Sequence, residues 1–118
     1  MISATEKSLR ALLAERIVLL DGAMGTMLYE KGVFINRCYD ELNLSLPSMV
    51  RDVHQEYIRA GAELIETNTF GANIGNLGEY GIIERTYELA RAGAEIARRA
   101  ADSYPDKKWV LGSLGPGT

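Results

Sequence analysis

The chain is poor in the residues that staple, ligate or span. Its 118 residues include one cysteine (Cys38), one histidine (His54), one tryptophan and three prolines. A single cysteine rules out an internal disulfide framework and fits a reducing, cytoplasmic compartment. One Cys and one His are too few for a zinc site unless carboxylates or other segments join in. No stretch approaches the roughly 18 apolar residues of a membrane span. The N-terminus mixes charged and apolar residues, unlike a signal peptide. Positive charge is not in excess: 13 Lys and Arg against 16 Asp and Glu give a net charge of −3. Without a basic stripe, neither nucleic acid nor an anionic membrane is an expected partner. What remains is an ordinary globular composition, 47% hydrophobic and 25% charged, sufficient for one domain over residues 1–118.

What is present is a repeated local pattern. Three apolar runs each empty into small and polar residues: Leu19-Leu20-Asp21-Gly22-Ala23-Met24-Gly25-Thr26, Ile65-Glu66-Thr67-Asn68-Thr69-Phe70-Gly71-Ala72-Asn73, and Trp109-Val110-Leu111-Gly112-Ser113-Leu114-Gly115-Pro116-Gly117-Thr118. Strands that open into such loops on one side are how parallel α/β proteins build active sites. Between them lie helical patterns. Residues 4–15 read as a short amphipathic helix with Leu9, Leu12 and Leu13 on one face. Ile17–Leu20 reads as a strand buried on both faces. Pro47 in a first turn, then Val50, Val53, Tyr57 and Ile58 at helical spacing, then Gly61 as the stop, read as a second helix. Residues 84–103 read as a strong helix whose Ala90, Gly93, Ala94, Ala97 and Ala101 form a small-residue face. Residues 37–44 read as a long ordered loop and 71–82 as a glycine-rich one. Strands alternating with helices imply a parallel sheet.

Two of the strand exits carry candidate chemistry. At Asp21-Gly22-Ala23, small residues let a ligand approach the main chain, and exposed N–H groups suit a carboxylate or phosphate; a simple strand-exit turn fits the same residues. The spacing of Gly22 and Gly25 is neither a dinucleotide fingerprint nor a phosphate-binding P-loop. Glu66, Thr67, Asn68 and Thr69 put four polar side chains at the end of a buried strand, where they are either hydrogen-bonded or part of a site. Cys38 reads as an ordinary loop thiol, His54 as a polar helix-face residue, and Trp109 as a packing residue.

Taken together, the motifs resemble the homocysteine S-methyltransferase family, with the homocysteine-binding modules of cobalamin-dependent methionine synthases as the nearest branch. The resemblance rests on Leu20–Thr26, Glu41-Leu42-Asn43-Leu44, Ala60-Gly61-Ala62-Glu63 leading into Glu66–Ala72, and Gly112–Thr118. The branch fused to a methylenetetrahydrofolate reductase is similar too, through Asn36–Asn43. The resemblance implies an α/β fold, the N-terminal portion of a (β/α)8 TIM barrel with about three parallel strands. It implies homocysteine at the C-terminal mouth of the barrel, its amino-acid end near Asp21, Gly22 and Ala23, and Asn68, Thr69 and Phe70 in the same pocket. It also implies zinc held by three cysteines from later strands, which lowers the homocysteine thiol pKa so that a thiolate attacks an activated methyl group. That methyl group would come from methylcobalamin on another module, recharged by methyltetrahydrofolate. None of those cysteines is in this chain, and Cys38 matches none of them. The expectation is therefore a partial enzyme that alone binds no zinc at the family site and turns over nothing, its open strand edges making it marginally stable or oligomeric. The competing expectation is a small non-catalytic α/β binding protein derived from such a barrel.

Overall fold

The computed structural model describes residues 3–116. Gly117 and Thr118, which end the third expected exit loop, lie outside the described residues. Helix α1 (Ala4–Glu15) starts at Ser3, whose Oγ accepts from the Glu6 N–H at 3.1 Å. After residues 16–23 come α2 (Met24–Glu30), a 3-10 turn (Tyr39–Glu41), and α3 (Leu42–Ser45). Helix α4 (Pro47–Arg59) has Pro47 in its first turn, where the missing N–H costs nothing. It ends in a Schellman arrangement: Gly61 takes φ +117°, its N–H reaches Ile58 O, and the Ala62 N–H reaches Tyr57 O. Strand β1 (Leu64–Glu66) follows, then α5 (Ile74–Gly78), a 3-10 turn (Ile83–Arg85), α6 (Thr86–Asp102) and β2 (Trp109–Leu111).

Among the described residues the sheet has two parallel strands, paired Leu64 to Trp109, Ile65 to Val110 and Glu66 to Leu111. Residues 17–20 run beside β1 but form only one bridge, Leu20 to Leu64, with Asp21 N–H donating to Leu64 O at 2.9 Å. This corrects the strand expected at Ile17–Leu20, while the strands expected at Leu64 and at Trp109 are both formed. Ile17 is 91% exposed and Leu19 53%, so the run is an edge held from one side and not a strand covered on both.

The core lies on the helix side of the sheet. Ile58, Ala62, Ile65, Ala97 and Ala101 pack between α4, β1 and α6, while Leu28, Val33, Leu42, Val50 and Val53 join α2 and α3 to α4. Burying Ile65 completely contributes roughly 1.5–3 kcal/mol. The buried face of α6 is Leu89, Gly93, Ala97, Ala100 and Ala101; Ala94, expected on it, faces solvent. Two expected loops contain helix. Residues 37–44 hold the 3-10 turn and most of α3, and residues 71–82 hold α5, capped by the Asn73 side chain on Asn76 N–H at 2.9 Å. No helix among the described residues is long and apolar enough to cross a membrane.

Candidate functional site

The first strand exit, 21–25, is held by its neighbours. Asp21 Oδ2 accepts from the Glu66 N–H at 3.1 Å, which ties the loop to the end of β1. Tyr57, on α4, lies against Gly22, and its hydroxyl donates to Ala23 O at 2.7 Å. A Cβ on Gly22 would sit 3.1 Å from that hydroxyl, and a Cβ on Gly25 would sit 3.3 Å from the ring of Tyr39. Neither glycine has a positive φ. They are needed for close approach of two tyrosine rings, not for a left-handed backbone.

The second exit, 66–71, is held by its own side chains. Asn68 Nδ2 donates to Tyr39 O (2.8 Å) and to Asn43 Oδ1 (3.0 Å); Asn43 Nδ2 donates back to Asn68 O (2.9 Å) and to Leu89 O (3.1 Å). Both asparagines are buried, and together they bind α3, α6 and the loop into one network. Thr69 Oγ1 donates to Ser113 O at 2.8 Å, and Thr67 Oγ1 accepts from the Ser113 N–H at 3.0 Å. With those protons committed, Thr67 donates across the 2.6 Å contact to Thr69 Oγ1. This ring of bonds joins the β1 exit to the β2 exit. A Cβ on Gly115 would collide with Phe70 O, so the two exit loops interlock at their backbones.

Between the exits lies a cavity of about 590 Å³, lined by Asp21, Gly22, Ala23, Met24 and Gly25 on one side and by Glu66, Thr67, Phe70 and Gly71 on the other. Ile35, Arg37, Cys38, Tyr39, Asp40 and Tyr80 close it. Asp40 anchors that wall: its buried carboxylate accepts from the Gly71 N–H at 3.0 Å. Burial pushes Asp40 above the usual carboxylate range. Burial also raises Asp21, to about 6, with the neighbouring Glu66 charge adding to the effect and its N–H bond opposing it. A carboxyl in this state holds or releases a proton near neutrality, and its charged form suits a cationic group such as an α-ammonium.

Of the residues expected in a site, Asp21, Gly22, Ala23 and Phe70 line the cavity. Asn68 and Thr69 do not: the Asn68 side-chain N–H groups and the Thr69 hydroxyl are engaged behind it, in the two networks above. Cys38 lines the cavity wall as a buried thiol, 3.9 Å from Asp40 Oδ1 and raised in pKa by burial. His54 is wholly buried on the packed side of α4, with neither ring nitrogen hydrogen-bonded, and burial lowers it to about 4. It is a core residue, not a polar face. Trp109 packs as expected, 6% exposed. Among the described residues no group of three or more His, Cys, Asp or Glu is arranged to hold a metal ion. Sequence reasoning did not pick out Tyr39, Asp40, Asn43 or Tyr57 as builders of the site. The signal available for two of them was the glycines at 22 and 25, which leave room that some neighbour must fill.

Comparison with known proteins gives a consistent result. The family model described as homocysteine S-methyltransferase matches residues 18–118. The methionine synthases of Mycobacterium leprae and Mycobacterium tuberculosis are each 44% identical over 115 residues, covering 90% of this chain and 10% of those proteins. The chain thus spans about a tenth of the length of the curated relatives it matches. The crystal structure of the metallated form of the homocysteine methyltransferase MmuM from Escherichia coli superposes with a TM-score of 0.80 at 31% identity, covering 92% of this chain and 41% of that one.

Proposed function

The chain belongs to the homocysteine S-methyltransferase family, and on that premise we propose that residues 1–118 are the N-terminal part of a homocysteine-binding (β/α)8 barrel. The proposed activity of the whole protein is methyl transfer to homocysteine, giving methionine, with a methyl group derived from methylcobalamin and 5-methyltetrahydrofolate on further modules. The observation that carries the reading is the cavity at the parallel strand exits, with a half-buried carboxyl and an exposed main chain on one wall. We assign Asp21, Gly22 and Ala23 to the amino-acid end of homocysteine and Phe70 to the facing wall. Asn68 and Thr69 support that wall from behind. The single cysteine is in keeping with a cytoplasmic protein.

The resemblance also implies zinc, and the residues present do not fit it. Cys38 is a buried thiol whose raised pKa disfavours the thiolate a metal requires, and no metal-holding group lies near it among the described residues. The zinc ligands are therefore proposed to lie outside this chain, and residues 1–118 alone are proposed to be inactive. The test is calorimetric titration of L-homocysteine into the full-length protein and its Asp21→Ala variant. Loss of a charge-assisted contact to the α-ammonium should weaken binding roughly 10- to 100-fold. Equal affinity for both would remove Asp21 from the site, and no binding by the unaltered protein would overturn the reading as a whole.

A further inference from the structure

Tyr57 does not line the cavity, yet it touches the residues that do. Its ring lies against Gly22, and its hydroxyl donates to Ala23 O at 2.7 Å. Core packing explains the ring, since Tyr57 is half-buried against both main hydrophobic clusters. Packing does not explain the hydroxyl, because a phenylalanine would fill the same space. The hydroxyl has a specific target. Ala23 is the N-cap of α2 and makes no side-chain cap bond; its carbonyl takes the first helical bond, and the Tyr57 hydroxyl adds a side-chain hold on the peptide linking Ala23 to Met24. Every described peptide is trans, and in a trans peptide the carbonyl and the following N–H point in opposite directions. Holding Ala23 O toward α4 therefore turns the Met24 N–H away from α4. Gly22, Ala23 and Met24 all line the cavity.

We propose that Tyr57 is a positioning residue of the substrate site, fixing the main chain of residues 22–24 in the orientation that the amino-acid end of the substrate meets. This rests on the functional reading above and goes beyond it, because it assigns a role to a residue one layer behind the cavity. The absent Cβ at Gly22 is part of the same device: it lets the ring approach closely enough for the hydroxyl to reach Ala23 O.

The experiment is Tyr57→Phe in the full-length protein, assayed for transfer from free methylcobalamin to L-homocysteine. The expected result is a KM for homocysteine raised about tenfold, as for loss of one preorganising hydrogen bond. The expected kcat stays within about twofold and the melting temperature is little changed. An unchanged KM overturns the proposal. So does a fall in kcat with KM constant, which would put the hydroxyl in the chemical step. If the variant does not fold, Tyr57→Met decides, since it removes the hydroxyl without altering a residue that lines the cavity: a similar rise in KM supports the tether, and an unchanged KM rejects it. Failure of the unaltered protein to bind homocysteine is a separate result, seen without any variant, and overturns the functional reading on which this one stands.

Discussion

The two strand exits look alike in sequence and are built by opposite means. At 21–25 the chain supplies absences: two glycines and an alanine, into which Tyr57 and Tyr39 press from α4 and from the 3-10 turn. At 66–71 the chain supplies side chains, and Thr67, Asn68 and Thr69 turn inward to bond Asn43, Tyr39 and Ser113. The first exit can therefore leave its main chain and one carboxyl at the cavity. The second spends Thr67, Asn68 and Thr69 on architecture and leaves Glu66, Phe70 and Gly71 there, with part of Thr67. A polar cluster at a strand end is thus not by itself a binding site: what matters is whether buried partners already satisfy it.

Removing the centre of the second network should have the largest effect. Asn43→Ala deletes two donated bonds and one accepted bond and leaves Asn68 O and part of the Asn68 amide without their partners. At about 1 kcal/mol per bond plus the desolvation of the stranded groups, the expected loss is about 3–4 kcal/mol. Urea unfolding of the full-length protein measures it. A loss below about 1 kcal/mol would mean that water replaces the asparagine and that the second exit is no more rigid than the first.

Gly93→Ala tests the same network from α6. The added Cβ would lie 2.6 Å from Thr69 Cγ2 and 2.8 Å from Asn43 Nδ2, so both must move. Overpacking of this kind costs about 1–3 kcal/mol, offset by about 1 kcal/mol from the better helix propensity of alanine. A net destabilisation of up to about 2 kcal/mol is expected from the same unfolding measurement. A stabilised variant would show that the network yields, and would erase the contrast in rigidity between the exits.

The contrast also explains what was legible in the sequence. Helix α4 was, because its start at Pro47 and stop at Gly61 are local devices. Asp21, Gly22, Ala23 and Phe70 were, because a strand that empties into small residues leaves its exit open whatever surrounds it. The direction of Asn68 and Thr69 was not, because it depends on Asn43 and Ser113, 25 and 44 residues away. Helix α3 was hidden for a related reason: it has four residues, too few for a periodic signal, and its Asn43 is a poor helix former held by tertiary bonds. The apolar character of residues 17–20 is legible but their cover is not, since burial on a second face requires a neighbour that residues 3–116 do not provide.

The smallest expected effect separates the exits by charge. Asp21 is raised in the folded state to about 6 from an ordinary value of 3.8. Its contribution to stability is therefore fully present below about 3.8 and lost as pH rises through about 6. His54 works in the opposite sense. Lowered from 6.5 to about 4, it contributes stability above about 6.5 that is lost as pH falls through about 4, up to about 3 kcal/mol for a wholly buried ring. The two slopes oppose each other between about pH 4 and 6.5, so the pH profile of the unaltered protein isolates neither. The difference between that profile and the profile of Asp21→Asn does, because His54 is common to both. Asparagine cannot ionise, and its side-chain oxygen can still accept from the Glu66 N–H. The variant should therefore gain in relative stability as pH rises through about 6, by less than either substitution above costs, since solvent reaches this half-buried carboxyl and screens its charge. A difference profile flat from pH 4 to 8 would mean that Asp21 titrates as an exposed carboxylate, and that the first exit presents main chain alone to the cavity.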